Sequence, residues 1–412
     1  MVSCFKITDS FLWLVCIFVG IAGCSSHRSD APVLVLSGQD DFGMYTGEIL
    51  RAEGFNEFEC KSLKNIYRYN SFLSGFPVII LSEKVSDPAL WGSLERYVRK
   101  GGSLISVVPS DYPESLFGFR GSETDIVPGY IFIDTTSAEG KSLIGSRMQL
   151  HAENRAYLAE SANVVAWFGN TDVKGGKFPA VVTQPLGKGR IAAFMYNLPE
   201  NIVLTRQGNP EFAGMEKDSI PGLRAMDLFT DGWVDQDCNT INQADEQMHL
   251  LTNLISSMSE EKLPLPRLWY FPDTLRCLVT LTNDGEYRNE NDFDRQFRDV
   301  DSAGAGMSLY VMRTEKVSKE WVDRWSSKGF EISGHPDGTA RASSPCWDHM
   351  DSILAAKIED ISNLYGLKMN TVVNHWFVWC GTDTAGRQDF AAQARIEANH
   401  GIGLDLNYAH YD

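Results

Sequence analysis

The sequence predicts an α/β protein built from two domains. Short apolar runs alternate with stretches of helical periodicity from Pro32 onward, and the same alternation resumes after Pro272. Glycines close most of the helical stretches, as is usual where a chain turns back toward its next strand. Because strands separated by helices pair in parallel, each half of the chain is expected to form a largely parallel sheet covered by helices.

An export signal precedes both domains. Lys6 is followed by an apolar run over residues 11–20, and small residues then lead to Cys24. That run is too short to span a bilayer, which takes about twenty apolar residues. The pattern resembles a bacterial lipobox, and the resemblance implies a signal peptide over residues 1–23, lipidation of Cys24 and a linker over residues 24–31. We expect a lipoprotein on the periplasmic face or the cell surface; secretion with Cys24 left free is the alternative.

Composition limits the classes of partner. The chain carries a formal net charge of −17 over 412 residues. Nucleic-acid binding depends on neutralising phosphates with Lys and Arg, so nucleic acid is not an expected partner. The cysteines after Cys24 show no CxxC or Cys/His ligand spacing, so neither a disulfide framework nor a structural zinc knot is indicated.

The first domain is predicted over residues 32–204. Buried-strand runs occur at residues 33–36, 76–81 and 103–108, and a hairpin is expected around Gly187. A helix between the second and third runs has Asp87 and Pro88 as its cap and first-turn residue.

This segment resembles the class I glutamine amidotransferase-like domain, a flavodoxin-like fold. Active members carry a nucleophilic cysteine in a glycine-flanked elbow at the turn after the strand that corresponds to residues 103–108. That turn here contains Pro109 and Ser110, with no cysteine and no flanking glycines. The resemblance therefore implies the fold without amidotransferase chemistry, and Ser110 is interpreted as a turn residue.

Residues 205–271 are predicted to connect the domains. The chain is polar and aromatic without periodicity through about residue 242, which is typical of a linker or a functional loop. A helix is expected from about Ala244 to Met258. Pro264 and Pro266 then mark the domain boundary.

The second domain is predicted over residues 272–412 as successive βα units. Strand-like runs begin near residues 277, 307, 330, 369 and 402. Units that repeat without a reversal favour a barrel over an open sheet. A closed eight-stranded barrel takes around 250 residues, so we expect a partial, truncated barrel and a chain that is a fragment of a longer one.

Titratable side chains stand at the predicted carboxyl ends of these strands. Asp284 and Glu286 follow the first strand, His335 and Asp337 the third, and His375 the fourth. In a parallel barrel these ends share one face. Imidazole nitrogens and carboxylate oxygens bind divalent metals such as zinc, so the pattern indicates a metal site.

These residues resemble the polysaccharide deacetylase family of metal-dependent (β/α) barrels. The first family motif, T-F-D-D-G, supplies a base and a metal ligand; Asp284 takes one place or the other, depending on the residue on which the motif is anchored. His335 fits the first histidine of the H-[ST]-x-x-H motif, whereas Thr339 stands at the second. Val373 stands where the family has an arginine. The resemblance implies that Asp284, Glu286, His335 and Asp337 are metal ligands, with zinc as the expected metal. It also implies that Asp284 and His375 are catalytic.

The expected function follows from that resemblance. Three residues at or near the fourth strand end, Trp376, Trp379 and Asn374, are predicted to bind carbohydrate. The chain is similar to a branch of exported proteins that couple an amidotransferase-like module to a deacetylase-like barrel. This implies a metal-dependent carbohydrate deacetylase-like hydrolase of the cell envelope or exterior. A catalytically inactive carbohydrate-binding lipoprotein and a structural lipoprotein remain open alternatives.

Overall fold

The structure is a computed structural model. It describes residues 31–38, 42–65, 69–124, 127, 129–170, 176–260, 262 and 265–408. Cys24 and the predicted signal peptide lie outside the described residues. Among the described residues, none of the helices combines the length and hydropathy that crossing a bilayer requires.

A mixed sheet forms the core of the first domain. Its strands are parallel from one edge to the middle and antiparallel from the middle to the other edge. The strands of this half of the chain are β1 (Val33–Ser37), β2 (Phe58–Lys61), β3 (Val78–Ser82), β4 (Ser103–Ser106), β5 (Phe119–Gly121), β6 (Tyr130–Ile133), β7 (Met148–Gln149), β8 (Tyr157–Ala159), β9 (Asn163–Gly169), β10 (Pro179–Leu186) and β11 (Gly189–Phe194).

Nine of these strands form one sheet in the described part of the chain, in the order β2-β1-β3-β4-β11-β10-β9-β6-β7, and β5 pairs with β8. Strands β1 and β3 are buried along their whole length. Burial on both faces is typical of a parallel sheet between helix layers. The helices are α1 (Thr46–Ala52), α2 (Tyr69–Leu73), α3 (Pro88–Arg99), α4 (Glu114–Phe117), α5 (Leu198–Gln207) and α6 (Gln243–Ser259).

Most of the predicted elements of this half coincide with observed ones. The three buried runs form β1, β3 and β4, and the hairpin of β10 and β11 turns at Gly187. Helix α3 begins as expected, since Asp87 Oδ1 accepts the Ala89 N–H at 2.9 Å. Strand β2 was not predicted, because it lies at the sheet edge and is only partly buried, which removes the apolar signal.

The second domain is a half-barrel of parallel strands. Within the described residues five strands pair in sequential order, each with the next one along the chain. They are β12 (Thr282–Asp284), β13 (Ser308–Val311), β14 (Glu331–Gly334), β15 (Thr371–Val372) and β16 (Leu404–Asp405); the helices are α7 (Glu290–Ser302), α8 (Lys319–Ser326), α9 (Trp347–Tyr365) and α10 (Ala392–Asn399).

The sequential order agrees with the predicted βα repeat, with one difference in length. The first strand was expected to begin near Cys277, but β12 begins at Thr282 and the preceding segment is exposed. Strand β12 lies at the sheet edge, so a single neighbour limits the length over which it is paired.

Residues 213–224 of the connecting region pack against the second domain. The Leu223 N–H donates to the Ala342 carbonyl at 2.7 Å, and the Trp379 N–H donates to the Leu223 carbonyl at 2.9 Å. A side chain at Gly381 would overlap the backbone nitrogen of Gly214, 2.1 Å from the added carbon. This region is therefore part of the folded body rather than a free linker.

Candidate functional site

Three strand ends place the predicted titratable residues on one face of the half-barrel. Asp284 is the last residue of β12, and His335 follows the last residue of β14. The register pairs Gly334 with Val372, so His335 lies level with the turn that carries His375. The ring centroids of His335 and His375 are 5.4 Å apart, so these two imidazoles lie side by side on that face.

The environment of His335 fixes its protonation state. The side chain is 1% exposed, and its Nδ1 lies 2.7 Å from the carbonyl oxygen of Val373. A carbonyl only accepts, so Nδ1 carries the proton and Nε2 keeps its lone pair. Burial lowers the pKa of His335 to about 4. His335 is therefore neutral near pH 7, with Nε2 available to bind a cation or accept a proton.

His375 lies between two carboxylates. Its Nδ1 is 3.4 Å from Asp337 Oδ1, and its Nε2 is 3.9 Å from Glu286 Oε1. The backbone N–H of His375 donates to the Pro336 carbonyl at 2.8 Å, which ties the turn after β15 to the turn after β14. These contacts bring His375 together with residues from two other strand ends.

The pKa values of the two aspartates of the site are shifted in opposite directions. Partial desolvation raises the pKa of Asp284, and His375 opposes this shift. Desolvation also acts to raise the pKa of Asp337, but hydrogen bonds from the N–H and hydroxyl of Thr339 outweigh it and lower that pKa. Asp284 is thus the carboxylate of this pair that takes up a proton more readily.

The predicted donors are of the chemical type that binds a divalent metal, but their ligand atoms are too far apart to share one ion as placed. Nitrogen and oxygen donors suit zinc, and a ligating histidine commonly donates its other N–H to a backbone carbonyl, as His335 does. However, no three of the predicted donors have ligand atoms within 4.8 Å of one another. Among the described residues that criterion is met by one group, Glu216, Asp218 and Asp227.

The three predicted carbohydrate-binding residues differ in position. Trp376 is 57% exposed, and its ring centroid lies 5.6 Å from that of His375. Trp379 is 3% exposed, and its indole N–H donates to the Phe390 carbonyl at 3.2 Å. Its predicted stacking role does not fit the structure, because a core ring presents no face to a ligand.

Asn374 is also buried and is used by the fold. Its N–H donates to Asn407 Oδ1 at 2.6 Å, and its Nδ2 donates to the Val378 carbonyl at 3.0 Å. A direct contact between Asn374 and a ligand therefore does not fit the structure. Only Trp376, of the three residues, presents a surface beside the imidazole pair.

Sequence reasoning missed Tyr287. Its ring is exposed and lies 6.2 Å from the His375 ring, nearly perpendicular to it at 87°. Its place directly after Glu286, in the loop that leaves β12, was the available signal. Tyr287 and Trp376 are thus two exposed aromatic rings in contact with His375, which makes the rim of the site aromatic.

Ser110, in the first domain, lies in the turn that follows β4. It is buried, and its Oγ accepts the Val85 N–H at 3.2 Å. This agrees with its interpretation as a turn residue.

No protein-family model matches this chain, and no curated protein matches it. Solved structures with partial similarity include a β-galactosidase from Bacillus circulans sp. alkalophilus (18% identity over 42% of this chain and 30% of that chain, TM-score 0.32). Others are a β-galactosidase from Rahnella sp. R3 (15%, 62% and 34%, TM-score 0.34) and an α-L-fucosidase from Paenibacillus thiaminolyticus (15%, 60% and 36%, TM-score 0.33). The chain spans about a third of the length of these proteins.

Proposed function

We propose that this chain is a metal-dependent, deacetylase-like hydrolase that acts on carbohydrate. The observation that carries the proposal is the His335–His375 pair, which lies among carboxylates at the carboxyl ends of parallel strands. A neutral His335 with a free Nε2 has the form that both metal binding and proton transfer require. The exposed ring of Trp376 beside this pair is a surface on which a sugar ring can stack.

The residues divide into ligands and proton-transfer groups. His335, Glu286 and Asp337 would hold zinc, with Asp284 as a further ligand or as the base. When bound, the metal supplies Lewis-acid polarisation of the scissile carbonyl. Asp284, whose pKa is raised, takes the proton of the attacking water in its role as base. His375 delivers a proton to the leaving amine or alcohol.

Two further features belong to the same proposal. The parallel strands β2-β1-β3-β4-β11 have the order of flavodoxin-like folds, which supports an amidotransferase-like module over residues 32–204. The sequential order of β12 to β16 supports a deacetylase-like barrel over residues 272–412. Lipid attachment at Cys24 would hold both at an envelope membrane facing extracytoplasmic polymer, and the net charge of −17 disfavours nucleic acid.

Acetate release tests the hydrolase proposal directly. The chain is incubated with chitopentaose and with acetylated xylan oligosaccharides, with added zinc and after dialysis against a chelator. We expect zinc-dependent release that Asp284→Asn abolishes, because the amide neither accepts a proton nor binds a cation well. Asp301→Asn is the matched control, since Asp301 pairs with Lys328 at the end of α7. No release from either substrate with zinc would overturn the proposal.

A second candidate is a catalytically inactive carbohydrate-binding protein. It is favoured by the spacing of the donors, since no three of those predicted come within 4.8 Å of one another in the described structure. It is also favoured by Thr339, which donates to Asp337 at the place of the family's second histidine. Binding of chitopentaose that needs Trp376 but neither zinc nor Asp284 would establish this candidate instead.

A further inference from the structure

The turn that presents His375 and Trp376 has an unfavourable backbone. Trp376 and Phe377 are consecutive and both left-handed, with φ of +59° and +54°. Residues that carry side chains rarely adopt this conformation, and a run of two persists only where the surroundings impose it. The turn that supports the proposed site therefore depends on contacts that hold it.

Two side-chain amides supply those contacts. Asn374 closes the turn by donating from Nδ2 to the Val378 carbonyl at 3.0 Å. Asn407, which follows β16 and is 1% exposed, accepts the Asn374 N–H at 2.6 Å through Oδ1. The start of the turn is thus fixed from the neighbouring strand.

The orientation of the Asn407 amide is itself determined. Its Nδ2 donates to Asp405 Oδ1 at 2.6 Å and to Glu397 Oε1 at 3.3 Å. Because the Nδ2 amide group of Asn407 faces these two carboxyls, its Oδ1 faces the N–H of Asn374. Glu397, on α10, is 2% exposed, and Gln393 donates to its Oε1 at 2.9 Å. Burial and the neighbouring Asp405 raise the pKa of Glu397 to about 8, which favours the protonated, uncharged form of Glu397 near pH 7.

We propose that Asn407 is a positioning residue for the carbohydrate site. Glu397 and Asp405 hold its amide nitrogen, and its amide oxygen in turn holds the start of the turn that carries His375 and Trp376. This rests on the proposed function, because the value of a fixed turn is to hold the Trp376 ring beside the imidazole pair. Asn407 touches no substrate and acts through Asn374.

The test follows the Trp376 ring in the full chain labelled with 5-fluorotryptophan. The chain has 10 tryptophans, and Trp376→Phe identifies the fluorine resonance of Trp376. We expect Asn407→Ala to shift or broaden that resonance and to weaken chitopentaose binding about tenfold. Glu397→Gln, which preserves the acceptor and the neutral state, should retain both properties.

Asn201→Ala is the matched control, because Asn201 is a buried asparagine of the first domain that accepts the His151 N–H at 2.7 Å. It should leave the Trp376 resonance in place. If Asn407→Ala does not fold, Asn374→Ala removes only the bond to Val378 and should also displace the resonance. An unchanged Trp376 resonance in a folded Asn407→Ala variant overturns the inference. If the unmodified chain binds no sugar, the carbohydrate proposal fails, while the resonance still decides the role of Asn407.

Discussion

The two domains use the ends of parallel strands differently. In the first domain the polar side chains of the turn after β4 form hydrogen bonds within the fold. Ser110 Oγ accepts the Val85 N–H, and the Tyr112 hydroxyl donates to the Val108 carbonyl at 2.7 Å. In the second domain Nδ1 of His335 donates to the Val373 carbonyl, whereas its Nε2 is left for a ligand, and Trp376 is exposed. A position after a parallel strand therefore does not by itself make a site; what matters is which polar atoms remain without a partner in the fold.

A pair of histidines makes the same point. Burial lowers the pKa of both His151 and His335 to about 4. His151 lies flat on Trp233, with ring centroids 4.3 Å apart and planes 10° apart, whereas His335 meets another imidazole at 70°. A low histidine pKa marks burial in both domains, and only the neighbours distinguish a structural ring from a candidate site.

The largest expected effect is on activity and concerns His335. His335→Ala should lower zinc-dependent acetate release about 10³-fold, equivalent to about 4 kcal/mol, because it removes a ligand and a proton acceptor together. His400→Ala is the control, since His400 pairs with Asp351 at 2.8 Å elsewhere in the same domain. Full activity of a folded His335→Ala variant would remove His335 from the site.

The next effect is on stability and concerns His151. Its pKa is about 4 when folded and rises to its ordinary value near 6.5 on unfolding. Between pH 4 and pH 6.5 the unfolded chain therefore binds a proton that the folded chain does not. The free energy of unfolding is highest above about pH 6.5 and falls by about 3 kcal/mol as the pH is lowered toward 4. His151→Gln should reduce the pH dependence of the free energy of unfolding in this range, measured by chemical denaturation, and leave acetate release intact. An unchanged slope would contradict a partly buried, neutral His151.

Trp376 tests whether the exposed rim binds sugar. Trp376→Ala should weaken chitopentaose binding about tenfold, or about 1.4 kcal/mol, since it removes a stacking surface without opening the core. Titration calorimetry measures this directly. Trp269→Ala is the matched control, an exposed tryptophan in the region that joins the domains. Equal losses in the two variants would assign the effect to general surface change.

Ser110 provides the smallest expected effect. Ser110→Ala removes the bond to the Val85 N–H and should lower the free energy of unfolding by about 1 kcal/mol. Acetate release should stay at the level of the unmodified chain. A loss of release without a loss of stability would show that the turn after β4 takes part in chemistry, and the contrast between the domains would fail.

Much of the fold was predictable because it depends on local pattern. The buried runs that form β1, β3 and β4, and the start of α3 at Asp87, have a periodicity or cap that is readable in a short window. Strand β2 escaped prediction because an edge strand is only partly apolar. The packing of residues 213–224 on the second domain was also not predictable, since it depends on distant partners such as Ala342.

The sequence alone determined the α/β class, the repeat of βα units and the placement of Asp284, His335 and His375 at strand ends. Only the tertiary structure decided which neighbours they meet: the Val373 carbonyl that sets the tautomer of His335, and the carboxylates around His375. It also decided that Trp376 is exposed and Trp379 is buried. Residue type and periodicity are local properties of the chain, whereas burial and hydrogen bonding depend on segments distant in sequence.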